Sequence, residues 1–291
     1  MRARVTISKT ARRESGMDYT YDDYRKSADY ILQRAGFVPE IAIVLGSCLG
    51  PFAQRIEQPV VIPYSEIPNF LISTAPSHAG KLVLGTVGGK RVVCMAGRFH
   101  HYEGYTYEQL AIPVRVFKCL GVKAVILTNA AGAINLDYKP GDVMVIRDHI
   151  KLFGDSPLTG RNIEEFGERF PSMTETYTQD LRTIALKCAE SSSLKVHEGV
   201  YFFFPGPQFE TASEIRAARI LGGDAAGMST VPDAITAAHC GMPLLALSVM
   251  VNMAAGIGKT PITQEQIDSI GEMIAGGFSD YVESIIREIT V

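Results

Sequence analysis

The sequence predicts an α/β fold in one domain, with a central mixed, largely parallel twisted sheet flanked by helices on both faces. Short apolar segments with the character of buried strands alternate with segments of helical periodicity along the chain. The apolar segments show little alternation of apolar and polar residues, which is typical of strands covered on both faces. No shift in composition marks a linker and no repeat is present. We therefore predict a single domain over residues 17–291 and a separate N-terminal arm over residues 1–16.

Periodicity and turn residues place the individual elements. Strands are expected where short runs are apolar and β-branched, over 41–46, 123–129, 142–148, 196–206 and 243–251, with a hairpin over 81–97 around Gly-Gly. Helices are expected where apolar residues recur at helical spacing, over 19–36, 106–121, 174–191, 211–223, 232–241 and 264–288. Within the second of these helices, Pro113 predicts a kink because proline removes a backbone donor.

The composition is that of a globular protein and excludes several classes of partner. Of the 291 residues, 46% are hydrophobic and 20% are charged, and the formal net charge is −3. This charge gives no general attraction for nucleic acid or for an anionic membrane, so neither is predicted as a partner. The most apolar run, 243–251, has about half the length that a membrane span needs.

The cysteines and the N-terminus bear on the compartment. Five scattered cysteines without a C-x-x-C pair predict neither a disulfide framework nor a zinc site, and they favour a reducing cytoplasm. Residues 1–16 are basic but lack the apolar segment of a secretory signal. We interpret them as a flexible arm, a cloning remnant or a misassigned start, with mitochondrial targeting as the alternative.

The segment RFHHYEGY, residues 98–105, follows an apolar strand and combines an unusual number of donors with aromatic area. Open α/β sheets bind ligands outside the carboxyl ends of their strands, so the segments after the other strands belong to the same question. Those segments are small and rich in Gly, Ala or Ser, which lets backbone N–H groups approach an anion closely. The pattern indicates a site for an anion of phosphate size, formed by Ser47, Arg98, His100, the Ala130 backbone and Ser229.

A second group of residues at strand ends has the chemistry to hold a heterocycle. Phe209 offers an aromatic plane, Glu210 an acceptor for a ring N–H, and Asn252 an amide that donates to a ring nitrogen or an exocyclic oxygen. An alternative for Glu210 is purely structural. It precedes a predicted helix, where the helix dipole favours an acidic side chain.

The chain resembles the homotrimeric, low-molecular-mass class of purine nucleoside phosphorylases. The matching segments occur in the family's order between residues 19 and 290, and they include IAIVLGSCLG, STAPSHAGKLVLG, GRFHHYEGY, TNAAGAIN, RFPSM, PGPQFETASEIR, GMSTVPDAITAAHCG and VNMAAGI. The resemblance implies reversible phosphorolysis of 6-oxopurine ribonucleosides and deoxyribonucleosides such as inosine and guanosine. The products are the free base and (deoxy)ribose 1-phosphate. Inorganic phosphate is then the co-substrate, with no cofactor and no metal.

The resemblance also implies a role for each matching residue. His100, Glu210 and Asn252 are expected to be catalytic, and Glu103 to orient His100. Phe166, in EEFGERF, matches an aromatic residue that one subunit of a homotrimer contributes to its neighbour's site. The remaining assignments are phosphate binding by Ser47, His78, Arg98, His100, Ala130 and Ser229, ribose binding by Tyr102, Met228 and Gln264, and purine binding by Phe209, Glu210, Gly227 and Asn252.

Three departures from the family pattern leave the substrate preference open. Gln264 stands where the family usually has a histidine on the ribose 5′-hydroxyl, and glutamine cannot take up a proton there. Val251 replaces a threonine, which removes one hydroxyl from the expected base pocket. Phe204 and Gln208 occupy positions that vary between enzymes for hypoxanthine or guanine and relatives that accept xanthosine.

Other function classes remain as alternatives. GIGKT, residues 256–260, resembles the end of a P-loop and would indicate an NTPase, but Met253 stands where the motif needs glycine and Pro261 follows directly. GSCLG, residues 46–50, lacks the G-x-G-x-x-G spacing of a dinucleotide site. The same motifs also allow two other interpretations: a methylthioadenosine phosphorylase, or a nucleoside-binding protein without catalytic activity.

Overall fold

The computed structural model describes residues 19–75, 78–258 and 262–291. The predicted arm over residues 1–16 lies outside the described residues, and so do Lys259 and Thr260 of the GIGKT segment. The helices are α1 Tyr21–Ala35, α2 Tyr107–Leu110, α3 Ile112–Leu120, α4 Gln179–Ala189, α5 Ala212–Ile220, α6 Val231–His239 and α7 Gln264–Glu288. The strands are β1 Ile41–Val44, β2 Glu57–Pro63, β3 Lys81–Val87, β4 Lys90–Ala96, β5 Ala124–Ala133, β6 Val143–Lys151, β7 Val196–Phe203, β8 Ala225–Gly227 and β9 Leu244–Met253.

All of these strands belong to one sheet, in the order β2-β3-β4-β1-β5-β8-β7-β6-β9. Because β5 also pairs with β9, the strands from β5 to β9 close on themselves like a small barrel. Five strand pairings are parallel and four are antiparallel. The predicted mixed sheet is therefore confirmed, with a closure that the sequence pattern did not indicate.

Strand β1 shows why the apolar strands lack an alternating pattern. Its residues Ala42 and Val44 pack into one hydrophobic core together with α1, α3 and α6. Its residues Ile41 and Ile43 face the other side and pack into a second core with α4 and α7. Since both faces of the sheet are covered, apolar residues are favourable at every position of the strand.

Most predicted elements form, and the differences have local causes. The predicted hairpin is present as β3 and β4, with Gly88 and Gly89 both at positive φ in the turn. The kink expected at Pro113 is instead a break at Ala111, and the proline lies in the first turn of α3, where its missing N–H costs nothing. The helix predicted from residue 174 begins only at Gln179.

Candidate active site

A cavity of about 850 Å³ lies where the segments after β1, β4, β5, β7, β8 and β9 converge. The convergence expected from the strand ends is therefore present. Twelve residues predicted from the sequence line this cavity. They are Ser47, Arg98, His100, Tyr102, Ala130, Phe209, Glu210, Gly227, Met228, Ser229, Asn252 and Gln264. Two predicted site residues, His78 and Phe166, do not line it.

Gly46 allows the first segment to approach β5 closely. A Cβ at this position would lie 2.6 Å from the Cα of Asn129 and 2.8 Å from the carbonyl oxygen of Thr128. The backbone N–H of Gly46 also donates to Oγ1 of Thr128 at 3.2 Å. Only glycine fits against this backbone, and the close approach brings Ser47 and Ala130 to one wall of the cavity.

Arg98 is buried, with 2% of its surface exposed, and its guanidinium is held from three sides. Nη1 donates to the carbonyl oxygen of Thr128 at 2.9 Å and to Oγ1 of Thr230 at 3.1 Å. Nη2 donates to Oδ2 of Asp233 at 2.5 Å. The buried Nε has no hydrogen-bond partner among the described residues. Since buried donors are rarely left unpaired, a fixed cation with a spare N–H beside a cavity is suited to bind an oxyanion.

Thr230 links the arginine to the segment after β8. Its backbone has φ 71° and ψ −47°, a strained conformation for a β-branched residue. Its hydroxyl oxygen accepts from Nη1 of Arg98 and, at 2.9 Å, from Nδ2 of Asn129, and it lies 3.2 Å from Oγ of Ser229. Thr230 and Asp233 were not predicted as site residues. The only sequence signal for them is that they follow Ser229 in the GMSTVPD segment.

His100 and Glu103 form a buried pair beside the arginine. Oε1 of Glu103 accepts from the backbone N–H of His100 at 2.8 Å and lies 3.0 Å from its Nδ1. Oε2 accepts from the backbone N–H and the hydroxyl of Thr74 at 2.6 and 2.9 Å. Burial opposes ionisation of Glu103, but these hydrogen bonds outweigh it and lower its pKa to about 2. Burial lowers the pKa of His100, so that its ring is neutral at neutral pH and is oriented by an ionised carboxylate.

Three rings stack beside the cavity, with His100 between His78 and Tyr102. His78 and His100 have ring centroids 5.1 Å apart, and His100 and Tyr102 have centroids 4.5 Å apart with nearly parallel planes. The backbone of Arg98 fixes the His78 ring, whose Nδ1 lies 3.0 Å from the amide nitrogen and 2.8 Å from the carbonyl oxygen. Burial lowers the pKa of His78 to about 4. His78 does not line the cavity, and it contacts the site through the ring of His100.

The other end of the cavity contains the predicted base-binding residues. Burial raises the pKa of Glu210, and a Glu214 carboxylate nearby adds to this effect. Glu210 directly precedes Thr211, which caps helix α5 and completes a capping box with Glu214, so a structural role for Glu210 beside the helix N-terminus remains the alternative. Nδ2 of Asn252 donates to the carbonyl oxygen of Met253 at 2.9 Å, which orients the amide and leaves its second N–H for a ligand.

The expectation for Phe166 is wrong. Only 3% of its surface is exposed, and its ring packs against Tyr21 and Tyr24 of α1 at centroid distances of 5.3 and 5.2 Å. The guanidinium of Arg115 covers the same ring at 5.4 Å. A side chain enclosed by its own subunit cannot reach a neighbour's site. The exposed aromatic residue of this stretch is Phe170, with 86% of its surface accessible.

The positions that depart from the family pattern lie in different places. Val251, with 4% of its surface exposed, lines the cavity beside Asn252, and Gln264 lines it as the first residue of α7. Phe204 packs instead against Phe202 and Phe153, with centroid distances of 4.9 and 6.0 Å, and does not line the cavity.

The described part of the chain lacks both a metal-binding cluster and a membrane-spanning helix. It contains no group of three or more His, Cys, Asp or Glu side chains arranged to hold a metal ion. None of its helices is both long and apolar enough to cross a membrane.

Comparison with known proteins identifies the family. The model of the phosphorylase superfamily matches residues 40–287. The chain belongs to this superfamily. Among curated phosphorylases, it is 47% identical over 264 residues to purine nucleoside phosphorylase 1 of Geobacillus stearothermophilus, covering 91% of this chain and 96% of that protein. It is 41% identical over 282 residues to purine nucleoside phosphorylase of Bos taurus, covering 94% of this chain and 97% of that protein.

Solved phosphorylase structures share the fold over nearly the whole chain. Purine nucleoside phosphorylase of Schistosoma mansoni in complex with inosine has a TM-score of 0.89 and 37% identity, and covers 94% of this chain and 99% of that one. Isoform 2 from the same organism, in complex with cytosine and ribose-1-phosphate, has a TM-score of 0.89 and 40% identity. The match covers 94% of this chain and 98% of that one. The family and the fold class predicted from the sequence are both confirmed.

Proposed function

We propose that this protein is a purine nucleoside phosphorylase that reversibly converts 6-oxopurine ribonucleosides and deoxyribonucleosides, such as inosine and guanosine, to the free base and (deoxy)ribose 1-phosphate. One observation carries the proposal. A single cavity has buried anion-binding donors around Arg98 at one side and the acceptor–donor pair of Glu210 and Asn252 at another. These two groups match a nucleoside bound next to phosphate, with the base at one side of the sugar and the phosphate at the other. The reaction is that of a pentosyltransferase in purine salvage and uses no cofactor.

At the anion end, phosphate is bound by directed donors. The Nε of Arg98, which has no hydrogen-bond partner among the described residues, is available for this purpose. His100 also lines this end, and as a neutral ring whose Nδ1–H bonds to Glu103 it offers Nε2 as an acceptor for the O–H of a protonated phosphate. Ser47, Ser229 and the Ala130 backbone complete the proposed phosphate site.

The chemistry proceeds through a charged transition state. As the glycosidic bond stretches, the sugar gains oxocarbenium character, and the phosphate anion below the anomeric carbon stabilises that cation before it attacks with inversion. The leaving purine gathers negative charge. A hydrogen bond from Asn252 to N7 or O6 strengthens as this charge develops, and such a donor is worth about 3 kcal/mol of transition-state stabilisation. Tyr102 and Met228 cover the ribose, and Phe209 and Gly227 face the base.

Glu210 sets the preference for 6-oxopurines. Burial raises its pKa, which makes the carboxylate more basic and a stronger acceptor for the N1–H of hypoxanthine or guanine. Adenine has an unprotonated N1, and two acceptors facing each other repel. Inosine and guanosine are therefore the expected substrates, with adenosine disfavoured.

The assembly and the compartment belong to the same proposal. We expect a homotrimer, and an aromatic residue lent to a neighbour's site would be Phe170, because its ring is exposed whereas Phe166 is buried. A cytoplasmic location follows from the reducing environment that five unpaired cysteines favour.

The experiment that tests the proposal follows release of base from inosine with and without inorganic phosphate, beside guanosine, xanthosine, adenosine and methylthioadenosine. Release of hypoxanthine and guanine that depends on phosphate, with formation of ribose 1-phosphate, is the expected result. Cleavage without phosphate would instead identify a hydrolase. Tight binding of inosine without turnover would identify a nucleoside-binding protein.

A further inference from the structure

One carboxylate that lines the cavity, that of Asp268, has no role in the proposed function described above. Asp268 lies one turn after Gln264 on helix α7, and both side chains line the cavity. Residues four apart on a helix lie on the same face and can interact. Here Nε2 of Gln264 donates to Oδ1 of Asp268 at 2.9 Å.

A second contact fixes the same carboxylate oxygen from the loop after β1. The thiol of Cys48 donates to Oδ1 of Asp268 at 3.3 Å. Burial, together with the Asp268 hydrogen bond, raises the pKa of this thiol to about 12, so that it remains protonated and a donor. Cys48 is itself held close to α7, since a Cβ at Gly271 would lie 2.2 Å from the Cβ of Cys48. The carboxylate is thus anchored through one oxygen, while Oδ2 makes no hydrogen bond with the described residues.

The pair presents acceptors to the cavity. One N–H of Gln264 is used by Asp268, which leaves three hydrogen-bonding groups and one negative charge: the amide oxygen of Gln264 and Oδ2 of Asp268 as acceptors, and the second N–H of Gln264 as a donor. Two of the three groups are acceptors and the charge is negative, so a donor is favoured as the ligand group, and a positively charged donor is favoured over a neutral one. An anionic group is disfavoured by repulsion.

We propose that Asp268, held by Gln264, is a specificity-determining residue that selects the 5′ substituent of the sugar by its charge. The inference rests on the proposed function and on the expected position of Gln264 beside the ribose 5′ group, since Gln264 and Asp268 line the cavity together. A 5′-hydroxyl donates a hydrogen bond to the pair. A 5′-ammonium group binds more tightly than the hydroxyl because the carboxylate attracts its positive charge, and a 5′-phosphate is repelled. The enzyme then acts on nucleosides and not on their 5′-monophosphates.

The test compares inosine with 5′-amino-5′-deoxyinosine, which is a cation at pH 7, and with 5′-deoxyinosine, at saturating phosphate. The variant is Asp268→Asn, which keeps the shape and removes the charge. The matched control is Glu272→Gln, an exposed acid on the same helix that does not line the cavity. The kcat/KM of the 5′-amino substrate relative to 5′-deoxyinosine should fall on the order of fivefold in Asp268→Asn, as expected for loss of one ion pair near solvent, and stay unchanged in Glu272→Gln.

Two results would overturn the inference. One is an unchanged ratio in Asp268→Asn. The other is a change in the KM for phosphate that is equal for all three nucleosides, which would place the action of the carboxylate at the phosphate end. If no nucleoside were cleaved by the wild-type protein, the proposed function would fail instead. Calorimetric binding of the same 5′-amino and 5′-deoxy nucleosides to wild type and variant would then decide the role of Asp268.

Discussion

Replacement of Glu103 by glutamine probes the buried pair at the anion end. The carboxylate accepts four hydrogen bonds, two from His100 and two from Thr74, and only 2% of its side chain is exposed. Glutamine has nearly the same shape but only one acceptor oxygen. Its NH₂ group would face donor groups of His100 or Thr74, with which it cannot form a hydrogen bond. The variant Glu103→Gln therefore keeps the packing and breaks part of the network.

The pKa gives the size of the effect on stability. The folded pKa of Glu103 is lowered from 4.5 to about 2. At about 1.4 kcal/mol for each pKa unit, this difference stabilises the folded state by about 3 kcal/mol above pH 4.5. A lowered folded pKa means that the contribution is present above the unfolded pKa and is lost as the pH falls toward 2. We expect Glu103→Gln to lose about 3 kcal/mol of unfolding free energy at pH 7 and to show a flatter pH dependence below pH 4.5.

The assay is urea unfolding followed by far-UV circular dichroism at a fixed protein concentration, since the chain has no tryptophan to report on unfolding. The control is Glu175→Gln, an exposed acid outside the cavity. Because the same change frees the His100 ring, the KM for phosphate should rise while the KM for inosine changes little. Equal stability of Glu103→Gln and Glu175→Gln at pH 7 would refute the assignment of Glu103 as an ionised, fully bonded carboxylate.

Three further changes test other parts of the site. Asp233→Asn removes the ion pair that orients the buried guanidinium, and steady-state kinetics should show a roughly tenfold higher KM for phosphate, with stability loss of about 3 kcal/mol or more if the cation is left unpaired. Gly46→Ala places a Cβ against backbone and should cost about 1–3 kcal/mol in thermal unfolding, whereas Gly50→Ala, with nothing within 4 Å, should not. Phe166→Ala should cost about 3–5 kcal/mol of stability, whereas Phe170→Ala should leave subunit stability nearly unchanged and weaken nucleoside binding only in the oligomer.

The sequence predicted the covered strands well because their signal is local. A run such as IAIV is apolar at every position, and each position is indeed buried. Strand β2 was missed because its sequence, EQPVVIP, is mostly exposed, and Ile62 is its one fully buried residue. An exposed strand that contains proline has no apolar pattern, and only its pairing with β3 makes it a strand.

The sequence predicted cavity-lining residues that belong to contiguous motifs, but it did not predict the contacts between distant segments that hold them in place. The contact between Arg98 and Asp233 joins residues 135 positions apart in the sequence, so no residue near RFHHYEGY indicates it. The expectation for Phe166 failed for the same reason, and the exposed ring is that of Phe170. Both lie in FGERF, and burial is decided by Tyr24 and Arg115, which approach from other elements.

The anion end carries no net positive charge, and this bears on catalysis. The charge of Arg98 is balanced by Asp233, Glu103 adds a negative charge, and burial lowers the pKa of both His78 and His100, so that neither ring adds a positive charge at neutral pH. In the proposed function, phosphate is therefore held by directed N–H and O–H groups and not by an excess of cations. An anion bound in this way retains most of its negative charge. That charge is available to stabilise the oxocarbenium ion as the glycosidic bond breaks, whereas a strongly cationic site would neutralise phosphate in the ground state and weaken the same interaction in the transition state.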